Sequence, residues 1–157
     1  MNSDTISLEN VNVEDVKKIL ETDFGIIFIK DKPTQFLGIN LEILDLTEEY
    51  KYADKFLEDK GINEEQNYNI NIDLKSFNII IDFATQSFRP SNPFKISIVD
   101  QIAKHISLKL KVRSFISLND NQIPFCVYEN GKKTNNYLEH YKKYFDSMPW
   151  IPCELRQ

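Results

Sequence analysis

Apolar positions along the chain follow two periods, and the change from one to the other marks out the elements. Val13, Val16, Ile19 and Leu20 recur at helical spacing and predict a helix. Asn12 stands where a cap should, Asp15 follows it by three residues, and Phe24-Gly25 ends the run. Ile26 to Ile29 is a continuous apolar stretch, the pattern of a strand covered on both faces. Asp31-Lys32-Pro33-Thr34 reads as a turn. Leu37, Ile39, Leu41 and Ile43 then alternate with Gly38, Asn40 and Glu42, which predicts a half-buried strand.

Thr47 is placed to cap a further helix, with Tyr50, Ala53 and Leu57 on its inner face and Gly61 at its end. Tyr68, Ile70, Ile72 and Leu74 alternate with polar residues, and Phe77 to Phe83 is again strand-like. These two runs predict a hairpin. Arg89-Pro90-Ser91-Asn92-Pro93 is a loop, after which Ser97 is read as the cap of a third helix with Ile98, Ile102, Ile106 and Leu110 on its buried stripe. Residues 112–118 and 123–129 predict two strands joined at Asn119-Asp120-Asn121-Gln122, and Asn130-Gly131 is a strong hairpin signal. Tyr137, Leu138, Tyr141, Tyr144 and Phe145 mark a fourth amphipathic helix. The expectation is a single α+β domain over residues 1–157, with a mostly antiparallel central sheet and about four helices. Leu41, Ile72, Ile81, Ile102, Ile116 and Tyr141 should be buried.

Composition fits this picture: 157 residues at 41% hydrophobic can bury a core without covalent staples. Only 4 glycines are present, and no phosphate-binding loop or dinucleotide fingerprint can be found among them. Cys126 lies in an apolar run and Cys153 far from it, so two reduced thiols are expected. Met1-Asn2-Ser3-Asp4 shows neither a positive region nor an apolar stretch, and the chain reads as cytoplasmic, with no membrane partner.

No catalytic signature emerges. His105 and His140 belong to no HxxxH or HExxH pattern, so each reads as a helix-edge histidine. Cys126 could pair with a histidine as nucleophile and base, but Phe125 and Val127 beside it look like core. Asn119-Asp120-Asn121 lacks the glycine and late glutamate of a calcium loop. Neither a metal nor a cofactor is expected. Lys109, Lys111 and Arg113 would share one face of an extended segment; they read as a solvated strand edge rather than a nucleic-acid site, given a net charge of −5.

The acid is concentrated. Residues 42–65 hold nine acids and three bases, a local −6, while the remainder has fifteen acids and sixteen bases, or +1. Glu48 and Glu49 suit the first turn of a helix. Glu58, Asp59, Glu64 and Glu65 crowd the wrong end for the helix dipole. Together with Tyr52, these six acids are candidate contacts to a basic partner, whose approach such a surface would steer. The plain alternative is a solvated face.

The stretch "IVDQIAKHISLKLKVRSFISLNDNQIPFCVYENGKK", residues 98–133, resembles part of the small immunity proteins that neutralise bacterial polymorphic or contact-dependent inhibition toxins. Pro124 and Gly131 carry most of the likeness. The resemblance implies a non-enzymatic, cytosolic protein that binds a cognate toxin domain, commonly a basic nuclease; a monomer is expected rather than a dimer. It supplies no catalytic residues. The rivals are an acidic secretion chaperone, which would be a dimer, and an enzyme using scattered carboxylates, which a metal-dependent activity would support.

Overall fold

The computed structural model describes residues 2–49, 51, 76–85, 93–118 and 126–134. They form a seven-stranded antiparallel sheet with two long helices. In chain order the elements are β1 (Asn2–Leu8), α1 (Val13–Phe24), β2 (Thr34–Phe36), β3 (Ile39–Asp45), β4 (Ile79–Thr85), α2 (Pro93–Leu110), β5 (Arg113–Ser117), β6 (Cys126–Glu129) and β7 (Lys132–Thr134). A further helical turn opens at Thr47. The fourth helix expected after Tyr137 lies outside the described residues, as do Ile72 and Tyr141.

The strand order is β2-β3-β4-β1-β5-β6-β7, with every neighbouring pair antiparallel. β1 and β3 therefore run the same way on either side of β4, and β4 and β5 do so on either side of β1. Two interleaved crossovers, β1-α1-β3 and β4-α2-β5, give the split β-α-β core of ferredoxin-like folds. β2 and the β6-β7 hairpin extend that core at its two edges.

Alternation decides which residues meet the helices. Ile6 and Leu8 on β1, Ile79, Ile81 and Phe83 on β4, Leu41 on β3, and Ile116, Cys126 and Tyr128 on β5 and β6 share one face. They join Val16 and Leu20 of α1 and Val99, Ile102, Ala103 and Ile106 of α2 in one buried cluster. Each large aliphatic side chain fully buried there contributes roughly 1.5–3 kcal/mol. The expected burial of Leu41, Ile81, Ile102 and Ile116 is met, at 4% exposure or less. Phe77, Phe115 and Val127 form a smaller buried cluster on the other face.

Local chemistry explains the boundaries. Asn12 caps α1 by accepting from the Glu14 N–H at 2.8 Å, and Gly25 closes it in the left-handed conformation at φ 68. Leu37 and Gly38 (φ 52 and 79) make the tight β2-β3 turn, and Asn130 and Gly131 (φ 52 and 78) the β6-β7 turn, both with the positive angles that two-residue hairpins require.

Several expectations give way. β1, the central strand, was not anticipated at all. The apolar run 26–29 is not a strand: Ile26 is buried, but Ile27 and Ile29 are 72% and 55% exposed. Thr34 belongs to β2, not to a turn. Of the hairpin expected between 68–74 and 77–83, the first run lies outside the described residues, and β4 in the second is paired with β1 on one side and β3 on the other. α2 begins at Pro93, whose fixed φ and missing N–H suit a first turn, so Ser97 lies inside the helix and accepts from Gln101 Nε2 at 3.2 Å. Lys109 and Leu110 end that helix, and only Arg113 of the basic run lies on a strand.

A buried ion pair crosses the core. Lys95, in the first turn of α2, lies 3.4 Å from the Asp4 carboxylate on β1, and both side chains are buried. Removing one partner of such a pair strands the other, whereas replacing both with apolar groups can be nearly neutral. Lys95→Met alone should therefore lower stability by about 3–5 kcal/mol in chemical denaturation. The Asp4→Leu, Lys95→Met double variant should recover most of that loss.

Candidate functional site

The acidic surface is built from β3 outward. Glu42 and Leu44 point to the face of the sheet away from the helices, where both are exposed. Glu42 stands across from Asp82 of β4, which in turn stands across from Thr5 of β1. Two carboxylates are thus neighbours on that face, Glu42 exposed and Asp82 half-buried. The strand ends at Asp45, and the chain turns into the helix that opens at Thr47.

The turn is fixed by two side chains. The Asp45 carboxylate accepts from the Thr47 N–H at 3.0 Å and from the Thr47 hydroxyl at 2.6 Å, a local arrangement that favours a helix start. Asp45 thus accepts from the first N–H of that helical turn. These two hydrogen bonds, with Lys51 as a smaller influence, hold the Asp45 carboxyl below its usual range. Asn78, just ahead of β4, ties three segments together. Its Nδ2 donates to the Thr47 hydroxyl at 3.0 Å and to the Val11 carbonyl at 2.7 Å, while its Oδ1 accepts from the Val11 N–H at 3.0 Å. Its backbone carbonyl accepts from the Leu46 N–H at 2.8 Å. The acidic helix is thereby anchored to the start of α1 and to β4.

Glu48 and Glu49 follow directly and are exposed. Glu48 lies 3.5 Å from Lys51, both largely in solvent, where such a pair adds little to stability. Tyr52, Glu58, Asp59, Glu64 and Glu65 lie outside the described residues. Of the predicted contacts, then, the structure places Glu48 and Glu49 on the surface beyond β3, next in the chain to the exposed Glu42.

The candidates for chemistry are occupied otherwise. Cys126 is buried, and that burial raises its thiol pKa, which leaves it a poor nucleophile. Tyr128, two residues on, donates to Asp100 at 2.5 Å; burial and this bond push its pKa up. His105 Nε2 lies 2.7 Å from Asp23 and edge-on to Phe24, joining the ends of α1 and α2. The His105 contact keeps the Asp23 pKa down, with a smaller contribution from Lys109. Arg113 pairs with Glu9 and lies over Phe77. Among the described residues no three His, Cys, Asp or Glu side chains gather as metal ligands, and no helix is long and apolar enough to cross a membrane. His140 and Cys153 lie outside the described residues.

No protein-family model, curated protein or solved structure matches the chain.

Asp45 and Asn78 give two expectations. Asn78→Ala leaves the Val11 N–H and carbonyl without their partner and should cost about 1–3 kcal/mol in urea unfolding. Because the folded pKa of Asp45 lies below its unfolded value, its contribution is present at neutral pH and lost as pH falls through the folded pKa. The Asp45→Asn variant should accordingly lose less stability than wild type between about pH 4 and pH 2.

Proposed function

We propose that the chain is an immunity protein: a non-enzymatic binder that neutralises a cognate bacterial toxin domain by docking it on the acidic surface that starts at Glu42. The observation that carries this reading is the local −6 over residues 42–65 against +1 elsewhere, together with the exposure of Glu42, Glu48 and Glu49 at its described end. The partner is a basic domain, as nucleases generally are, because their substrate is a polyanion.

The geometry supports the idea in two further ways. First, the described acids Glu42, Glu48 and Glu49 are displayed by a strand and by a helical turn whose start is pinned through Asn78 and Asp45. Second, Leu44 is exposed near Glu42 on the face away from the helices, with Ile80 across from it; it offers apolar area within a charged surround, the pattern of interface anchors.

Charge at a rim acts on association more than on folding. Reversing Glu48, Glu49, Glu58, Asp59, Glu64 and Glu65 to lysine should slow association with a cognate toxin domain by about tenfold or more at low salt. The thermal midpoint should change little. An unchanged on-rate in stopped-flow mixing would mark the acids as a solvated face. A wild-type chain that is a constitutive dimer by light scattering would favour the secretion chaperone.

A further inference from the structure

The acidic surface uses one edge of the molecule. At the other edge the C-terminal half of α2, its left-handed exit at Lys111 (φ 55) and the β6-β7 turn come together. Ser107 makes the junction: its hydroxyl accepts from the Gly131 N–H at 3.1 Å and donates to the Val112 carbonyl at 2.7 Å. Leu108, the next residue, is 57% exposed. It lies close against Gly131: a Cβ there would meet the Leu108 Cβ at 2.8 Å, so only glycine fits beside the leucine.

Three lysines flank it. Lys104 precedes Leu108 by one helical turn, Lys111 follows it by three residues, and Lys133 stands across from Tyr128 on the helix-facing side of the β6-β7 hairpin; all are exposed. The acids near them are engaged elsewhere. Asp100 accepts from Tyr128, and Asp23 is held by His105 with Lys109 at 4.0 Å. Glu129 stands across from Arg113 and Lys132 on the opposite face of the sheet. Lysines at a helix C-terminus complement its dipole, and lysines on an edge strand discourage edge pairing. Neither reason accounts for an exposed leucine between them.

We propose that this basic surface around Leu108 is a second docking site, and that its occupant is an acidic protein segment that lays an apolar side chain against Leu108. Charge complementarity selects an acidic partner. The leucine selects a protein over a nucleic acid, because a phosphate backbone gains nothing from it and Tyr128, the aromatic of β6, is buried and cannot stack on a base. The net charge of −5 further disfavours a long polyanion. The site is independent of the acidic surface and of any toxin.

The test uses the full chain and a labelled, end-capped helical peptide of alternating Glu-Ala-Glu-Leu units. Controls are the same peptide with Leu replaced by Ser, single-stranded and duplex RNA, and vesicles containing phosphatidylserine. Binding of the leucine peptide should be weakened by about tenfold by Leu108→Ser and likewise by Lys104→Glu with Lys111→Glu, and by added salt. On the wild-type protein, amide shifts in NMR spectra should centre on residues 104–111 and 130–133, which keeps the proposal testable if a variant folds poorly. Preference for RNA or vesicles, equal binding of the serine peptide, shifts elsewhere, or no binding at millimolar peptide would each overturn it.

Discussion

The sheet depends on β1. It lies between β4 and β5, so both crossovers and both halves of the sheet meet along its seven residues. Its register is doubly determined. Ile6 and Leu8 must face the helices, and Asp4 must reach Lys95 in the first turn of α2. A slip by one residue would send all three to the other face and bring Thr5 and Ser7 inward. The buried ion pair adds little net energy for its cost in lost hydration, but it is intolerant of misplacement. Buried polar groups fix register in some systems, and here the pair ties strand to helix at the one place where both crossovers meet.

That frame separates charge. β3, which leads into the acidic helix, and β7, with Lys132 and Lys133, stand near opposite edges of the sheet. Five strand spacings lie between them, about 24 Å. With a Debye length of about 8 Å at physiological salt, the two surfaces act independently on whatever approaches. On the proposals above, a basic partner would be drawn to one edge and an acidic one to the other.

Much of the frame was legible in the chain, and the failures share a cause. The caps of α1, the Asn130-Gly131 turn, the β5-β6 pair and the stripe on α2 each depend on residues within one helical turn or one hairpin of each other. β1 was missed because Asp4 interrupts its apolar alternation, and its justification, Lys95, lies ninety-one positions away. Ile26 to Ile29 looked like a strand because an apolar run does not say whether one residue or all are covered. Only Ile26 is buried there. At the candidate site the exposed acids were visible as composition, whereas Asn78, which positions them, was not. Its partners are 31 and 67 residues away, and nothing local marks an asparagine before a strand as a tie between segments.

The central claim is that the toxin is held on the acidic surface, and the most direct measurement is hydrogen exchange on the free protein and on its complex with the toxin domain. Slowed exchange concentrated in residues 42–66 is the result the account predicts. Slowed exchange confined to residues 101–134, with 42–66 exchanging as in the free protein, would contradict it.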